Sequence, residues 1–165
     1  MLIRANSIGE LDFDALMELY REGNAENAAW FYPQEPAEKR MKLAVADFYR
    51  YLCEQFFPME NAQYWIWEED GIYLSALRLE KYQGGLLMEA LETHPDHRRR
   101  GYAKKLILTV TKQLPANTTI YSRVSKRNTA SLATHDSCGF AKGLDYAEEP
   151  DGTINRNTIT YTMKI

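Results

Sequence analysis

The residues with the clearest capacity for chemistry lie in the stretch 94–106, HPDHRRRGYAKKL, where five cationic side chains surround Gly101. Apolar residues at helical spacing follow Tyr102, so a helix is expected to begin there. The first turn of a helix exposes backbone N–H groups without intrahelical partners, and the helix dipole adds a partial positive charge at the same end. The stretch therefore predicts a compact site for a phosphate-bearing polyanion.

The glycine and its neighbours suit close approach of a ligand, because Gly101 has no β-carbon and Ala103 keeps the first helical turn slim. The charge comes from Arg98, Arg99, Arg100 and Lys104. Two other interpretations stay open, a solvated helix start and a nucleic-acid-binding patch. The continuation LILTVTKQL is apolar and no aromatic residues interleave with the arginines, which disfavours nucleic acid.

The overall charge also disfavours nucleic-acid binding. With 20 Lys and Arg against 23 Asp and Glu, the chain has a formal net charge of −3 and lacks the positive field of a dedicated nucleic-acid binder. The sequence has neither a glycine-rich run ending in Gly-Lys-Ser/Thr nor a dinucleotide fingerprint. We therefore expect local affinity for a different polyanion, and no nucleic-acid partner.

Length and composition suit one water-soluble domain spanning residues 1–165, with 45% hydrophobic and 26% charged residues. We find no signal peptide and no apolar run of roughly 18 residues, so we expect a cytoplasmic protein without a membrane partner. Cys53 and Cys138 are too few for a disulfide framework or a multi-cysteine zinc site. His94 and His97 have no third ligand at a usable spacing, so no metal is expected.

Two amphipathic helices are predicted in the first third of the chain. The first has Phe13 and apolar residues at the next helical positions on one face, and is expected to end at Gly23. An aromatic loop, AAWFYPQEP, is expected next. The second helix, within residues 38–57, ends before Pro58 and has one apolar face, formed by Met41, Val45, Phe48, Leu52 and Phe56.

Residues 63–95 are rich in aromatic and branched side chains and predict three consecutive antiparallel strands, with turns at Asp70-Gly71 and Gly84-Gly85. A helix, a strand and a short helix are then expected in residues 101–114, 118–125 and 128–138. The tail, with alternating apolar residues beyond a Pro150-Asp151-Gly152 turn, predicts a closing hairpin. The fold class is therefore α/β, with a mixed, mostly antiparallel twisted sheet of about seven strands flanked by about four helices.

Two motifs stand out between residues 98 and 140. The first is Arg98-x-x-Gly101-x-Ala103, which follows THP, and the second comprises Asn128, Ser131 and Gly139-Phe140. The first is similar to the acyl-CoA pyrophosphate loop of the GNAT superfamily of acyl-CoA-dependent N-acetyltransferases. The second falls where that family has Asn-x-x-Ala/Ser followed by Gly-Phe. The resemblance covers about residues 86–140, and the rest of the chain agrees in the order of its elements.

The resemblance implies direct transfer of an acetyl group from acetyl-CoA, as cosubstrate, to a primary amine of an acceptor. It places the diphosphate at the arginine loop and the pantetheine arm along the strand LLMEALET. Leu91 and Thr93 would give backbone hydrogen bonds there, one of which would polarise the acetyl carbonyl. The implied cofactor contacts are Leu91, Glu92, Thr93, Arg98, Arg99, Arg100, Gly101, Tyr102, Ala103, Lys104, Asn128 and Ser131.

Two residues are candidates for catalysis. Strand alternation places Glu89 on the side of Leu91 and Thr93, opposite Glu92, which favours Glu89 as base or as acceptor of a proton relayed by water. Glu89 could equally be a cross-strand partner of Arg78. The family commonly has a tyrosine acid seven residues after the asparagine, where this chain has His135. That histidine could protonate the leaving thiolate, or it could simply cap or pack.

The acceptor is not identified by the sequence. Trp30, Phe31 and Tyr32 could wall an acceptor pocket, and the acidic segment EEPDG could attract a cationic amine. The aromatic residues could instead be core or homodimer contacts, and the acidic turn could simply be solvated. A second function stays open as well: a non-catalytic module that binds acyl-CoA as a sensor or interaction surface.

Overall fold

A computed structural model describes residues 1–149 and 152–165. In this part of the chain the strands are Leu2–Ala5 (β1), Gln63–Glu69 (β2), Ile72–Tyr82 (β3), Gly85–Thr93 (β4), Thr119–Ser125 (β5), Ala141–Lys142 (β6), Ala147–Glu148 (β7), Ile154–Asn155 (β8) and Thr158–Lys164 (β9). The α-helices are Phe13–Leu19 (α1), Arg21–Phe31 (α2), Ala37–Tyr51 (α3), Tyr102–Thr111 (α4) and Thr129–Cys138 (α5). The predicted α/β class is confirmed.

The main sheet has seven strands in the order β1-β2-β3-β4-β5-β9-β6. Its pairings are antiparallel except between β4 and β5, which α4 joins as a crossover. The predicted turn at Asp70-Gly71 is confirmed. The next turn lies at Gln83-Gly84, one residue earlier than predicted, because these two residues have the positive φ angles that a two-residue hairpin needs. Gly85 is already the first residue of β4.

The first predicted helix is in fact two helices, which brings the number of α-helices in the described residues to five. The chain changes direction at Tyr20, whose hydroxyl donates to Ala90 O (2.6 Å) and accepts from Tyr64 (3.0 Å). Gly23 lies inside α2 and does not end a helix, so this prediction was wrong. The expected aromatic loop was also placed too early, because Ala28 to Phe31 form the last turn of α2.

The second predicted helix is confirmed as α3, followed by a π-helical turn over Leu52–Phe56. In that turn Phe57 N–H donates to Leu52 O across five residues, at 3.0 Å. Leu52 and Phe56, the first and last residues of this turn, are fully buried. Helical periodicity predicted the apolar face but not the change of hydrogen-bonding pattern within it.

Each face of the sheet has its own apolar core. Helices α4 and α5 pack on one face, around residues such as Leu77, Leu106 and Tyr161. Helices α1 and α3 pack on the other, around residues such as Leu16 and Phe56, and α2 packs on α3. None of the helices in the described residues has the length and hydropathy of a membrane span.

The end of the chain differs from the predicted hairpin. Strand β9 pairs with β5 and with the short β6, while β7 and β8 form a separate two-stranded ladder. The apolar alternation of the tail is explained by insertion of β9 between two earlier strands, a long-range pairing that local sequence does not encode. The predicted turn at Pro150 and part of the acidic EEPDG segment lie outside the described residues.

Candidate active site

The site is built where β4 and β5 separate. The two strands pair in parallel only at Leu86, Leu87 and Met88, opposite residues 120–122. Beyond Met88, β4 contains a bulge at Ala90, whose φ is 50°. Bulges bend a strand and interrupt its ladder. Within the described residues, the edge of β4 that faces β5 therefore has no strand partner from Glu89 onward. A gap opens there between two strands that are adjacent as far as Met88.

The bulge also reverses the predicted alternation. Glu89 pairs with Arg78 and Glu92 pairs with Ala76, and these two β3 residues are two apart on one face. Glu89 and Glu92 therefore point to the same side, toward α1 to α3, whereas Leu91 packs with the opposite core. The prediction that Glu89 shares a face with Leu91 was wrong, because the extra residue at Ala90 shifts the phase of the strand.

A cleft of about 500 Å³ lies between the end of β4, the head of α4 and one face of α5. It brings together every predicted cofactor contact except Arg100. Its lining residues are Leu91, Glu92, Thr93, Arg98, Arg99, Gly101, Tyr102, Ala103, Lys104, Asn128, Ala130, Ser131, Ala133, Thr134 and Ser137. This volume is within the usual range for small-molecule sites.

The head of α4 faces this cleft without a side-chain cap. The first helical hydrogen bond runs from Lys105 N–H to Gly101 O at 2.9 Å, so the preceding N–H groups lack helical partners. Gly101 has a φ of 82°, a conformation that glycine adopts readily, and a β-carbon placed there would meet no atom within 4 Å. The helix start is therefore open on the side where an anion would bind.

The arginines of the loop differ in their contacts. Arg98 bridges Glu22 of α2 (2.6 Å) and Glu92 of β4 (3.4 Å), and the hydrogen bond to Glu22 raises its pKa, so it remains cationic. Within the described residues we find no ion pair for Arg99 or Lys104, which leaves their charges available. Arg100 lies outside the cleft lining.

Tyr102 and Lys105, in the first turn of α4, are held by Glu69 at the end of β2. Glu69 accepts hydrogen bonds from Tyr102 (3.2 Å), Lys105 (3.0 Å) and Trp67 (2.8 Å). The bond from Trp67 is the main reason that the pKa of Glu69 falls to about 2, followed by the bond from Lys105. The ammonium of Lys105 also lies 4.0 Å from the Trp67 ring centroid. These contacts anchor the helix start to the sheet.

One face of α5 forms the far wall of the cleft. Asn128 caps this helix, because its Oδ1 accepts from Ser131 N–H at 2.9 Å. This oxygen is thus already used within the protein. Four further lining residues were not predicted from the sequence and lie at helical spacing around Ser131: Ala130, Ala133, Thr134 and Ser137. That spacing of small residues was the signal that could have identified them.

His135 is turned away from the cleft. It is 1% exposed, and its ring lies 5.0 Å from the Phe140 ring and 5.2 Å from the Tyr161 ring. Nδ1 lies 2.7 Å from Ser131 O, and Nε2 lies 2.9 Å from Ser122 Oγ. Nδ1–H therefore donates to the carbonyl, and Nε2 accepts from the hydroxyl. Burial lowers the pKa of His135, so the neutral, packing form is the one the structure supports.

Glu89 lies within a charged network on the opposite face of the sheet. Its Oε1 accepts a hydrogen bond from Arg123 Nη2 at 2.5 Å, and its Oε2 lies 4.0 Å from Arg78 Nη2. Arg123 Nη1 in turn lies 3.1 Å from Glu149 Oε2. The pairing with Arg78 that the sequence suggested is therefore present. Arg123 was not predicted, because its proximity to Glu89 depends on the parallel pairing of β4 and β5.

This geometry can be compared with known proteins. The profile described as "Acetyltransferase (GNAT) family" matches residues 14–140. The chain belongs to this family. No curated protein matches the sequence significantly. The arginine loop and the α5 asparagine of this GNAT chain therefore lie within the matched segment, and the resemblance to the superfamily is confirmed.

Solved structures share the fold at low sequence identity. The PaiA N-acetyltransferase of Thermoplasma acidophilum, in complex with coenzyme A, is 15% identical, with a TM-score of 0.61, over 100% of this chain and 99% of that chain. The ribosomal-protein-S18-alanine N-acetyltransferase of Escherichia coli is 17% identical, with a TM-score of 0.61, over 100% and 94%.

A protein from Bacillus anthracis, in complex with acetyl coenzyme A, is 16% identical with a TM-score of 0.54. The match spans 67% of this chain and 66% of that chain. At these identities the likeness shows the fold alone. In residues 1–149 and 152–165, no group of three or more His, Cys, Asp or Glu side chains is arranged to hold a metal ion.

Proposed function

We propose that this GNAT chain, acting as one domain over residues 1–165, is an N-acetyltransferase that moves an acetyl group from acetyl-CoA to a primary amine in a ternary complex. The observation that carries the proposal is the separation of β4 from β5 beside an uncapped helix start. The gap lies between a cationic cleft, walled largely by α4 and α5, and Glu89 on the side of α1 to α3, so a donor and an acceptor could meet there.

The cleft suits the donor in charge and shape. The open backbone at Gly101, the unpaired cations Arg99 and Lys104, and the free N–H groups of the first turn would hold a diphosphate. Arg98 would add to this field while remaining tied to Glu22. Leu91 and Thr93, on the unpaired edge of β4, would hold the arm that carries the thioester.

The bound thioester supplies an activated acetyl group, whose carbonyl carbon bonds to the amine nitrogen as the C–S bond breaks. The amine must lose a proton, because an alkylammonium with a pKa of about 10.4 is not nucleophilic at neutral pH. We assign Glu89 as the proton acceptor, directly or through water, because its carboxylate lies at the gap between β4 and β5, on the side of α1 to α3.

The proton that completes the thiol is the second proton of the amine nitrogen in this proposal; it leaves after the C–N bond forms and reaches the thiolate through water. His135 does not line the cleft and is satisfied by Ser131 and Ser122. This observation also supports a second candidate function, acyl-CoA binding without turnover, because the position expected to hold a tyrosine acid is buried.

Turnover with a panel of primary amines separates the two functions. Release of free thiol from acetyl-CoA, above the rate of hydrolysis and accompanied by an acetylated amine in mass spectrometry, supports the transferase. Calorimetric binding of acetyl-CoA without amine-dependent thiol release supports the binding module. If folded protein binds neither acetyl-CoA nor coenzyme A, both functions are rejected.

A further inference from the structure

A second cavity, of about 470 Å³, lies between α2 and α3 on the acceptor side of the sheet. Its walls include four aromatic rings, those of Phe31, Tyr32, Phe48 and Tyr51. We call it the aromatic pocket. A site walled by rings gains its binding free energy from burying an apolar body, and ring faces and edges add further contacts with a bound ring.

The polar groups of the aromatic pocket favour one sign of charge. Among the described residues that line it, Asp47 alone carries a charge. Asp47 accepts hydrogen bonds from Tyr32 Oη and from Arg50 (3.2 Å), and Arg50 is largely exposed. Asn24, which is 7% exposed, has a weak acceptor, Met17 Sδ at 3.4 Å, as the partner of its amide nitrogen. The pocket therefore favours cationic and neutral ligands over anionic ones.

The inner end of the aromatic pocket adjoins the bulge of β4. The Tyr51 ring lies 4.9 Å from the guanidinium carbon of Arg78, which contacts Glu89. The Phe48 ring lies 5.7 Å from the Tyr20 ring, and Tyr20 donates to Ala90 O. The inner wall of the pocket is thus one side chain away from the bulge, with Tyr20 and Arg78 between them.

We infer that the aromatic pocket holds the body of the acceptor, which is a primary amine with an apolar, ring-bearing body and no negative charge. The inference rests on the proposed function and adds the substrate class to it. The ring would lie among Phe31, Phe48 and Tyr51, and Asp47 would discriminate against carboxylate-bearing amines.

Three probes test the chemical class by calorimetric titration of the full chain, with and without coenzyme A. They are 2-phenylethylamine, n-butylamine, which lacks the ring, and phenylacetate, which has the ring but the opposite charge. We expect 2-phenylethylamine to bind about tenfold or more tightly than n-butylamine, because burying one ring accounts for such a factor. It should also bind about tenfold or more tightly than phenylacetate, because Asp47 repels the carboxylate. Equal affinities, or no binding of 2-phenylethylamine, overturn the inference.

Variants locate the site. Phe31→Ala removes one aromatic wall of the pocket, and Asp47→Asn removes its negative charge. Each should weaken the binding of 2-phenylethylamine about fivefold or more. Phe31 is 69% exposed, so its removal should not unfold the protein. The matched control is Trp30→Ala, an 80% exposed neighbour outside the pocket, which should leave the affinity unchanged. If Trp30→Ala weakens binding as much as the two pocket variants do, or if neither pocket variant weakens binding, the aromatic pocket is not the binding site of the amine.

The two proposals fail in different ways. Selective binding of 2-phenylethylamine by a protein that neither binds acetyl-CoA nor releases thiol retains the pocket and rejects the transferase. Thiol release that is equally fast with ring-bearing, alkyl and carboxylate-bearing amines retains the transferase and rejects the pocket.

Discussion

Glu89 and Arg123 form an ion pair, with 2.5 Å between Oε1 and Nη2, across the gap where β4 and β5 no longer share backbone hydrogen bonds. Their side chains are 27% and 17% exposed. The guanidinium thus fixes the carboxylate beside the gap between β4 and β5. Breaking this arrangement should affect chemistry more than cofactor binding.

Glu89→Gln should lower kcat by about a hundredfold, the usual contribution of a positioned proton acceptor, while the Kd for coenzyme A stays unchanged. Steady-state kinetics and calorimetry measure the two quantities. Glu148→Gln, at an exposed position of β7, is the matched control. An unchanged kcat in Glu89→Gln, or an equal loss in the control, would remove Glu89 from the mechanism.

The helix start can be tested through coenzyme A binding. Arg99→Ala and Lys104→Ala should each weaken binding about fivefold to tenfold, with a loss that shrinks at high salt, because each removes one unpaired cation beside the diphosphate. Lys112→Ala, at the other end of α4, should leave the Kd unchanged. Equal effects of all three substitutions would indicate a general charge effect instead of a local site.

The bulge of β4 should depend on the small residue at its centre. Ala90 has a φ of 50°, where a β-branched side chain is strained, so Ala90→Val should lower the free energy of unfolding by about 1–3 kcal/mol. Ala90→Gly should lower the free energy of unfolding much less, since glycine adopts positive φ readily. Urea denaturation measures both variants. A valine variant as stable as the glycine variant would contradict the strained bulge.

The start of β4, where it pairs closely with β5, should tolerate no added atom at Gly85. A β-carbon at Gly85 would lie 2.2 Å from Thr119 O, so Gly85→Ala must push β4 away from β5. We expect a loss of about 1–3 kcal/mol in the free energy of unfolding. Gly9→Ala is the control, because its added carbon meets nothing within 4 Å. Similar stabilities of the two variants would show that β4 and β5 are not held this closely.

His135 predicts a pH dependence of stability. Burial lowers its pKa in the folded protein, so below the ordinary value of about 6.5 the unfolded chain binds a proton that the folded chain excludes. The contribution of His135 to the free energy of unfolding should therefore be complete above about pH 6.5. It should decrease as the pH falls toward the folded-state pKa. His94, whose pKa burial also lowers, contributes in the same direction.

His135→Gln should reduce that pH dependence, measured by urea denaturation between pH 5 and 8, and should leave kcat at neutral pH within about twofold if the proton reaches the thiolate through water. His97→Gln, in the loop before α4, serves as the control for stability. A loss of kcat of a hundredfold or more in folded His135→Gln would restore this histidine as the acid.

Much of the fold could be predicted because its signals are local. Apolar residues at helical spacing identified α3 and α4, and aromatic and branched residues between glycine turns identified β2 to β4. The Arg98–Ala103 motif identified the helix start of the cleft. The change of direction at Tyr20 could not be predicted in the same way. It depends on Tyr64 and Ala90, which are distant in sequence.

The sequence by itself determined the family, the α/β class and the residues that surround the donor cleft, because helix starts, turns and motifs are properties of a few consecutive residues. Tertiary structure decided which faces Glu89 and His135 occupy. A one-residue bulge sets the first, and the docking of α5 on Ser122 and Tyr161 sets the second. Such positions depend on the packing of distant segments, whose free energy no short stretch of sequence contains.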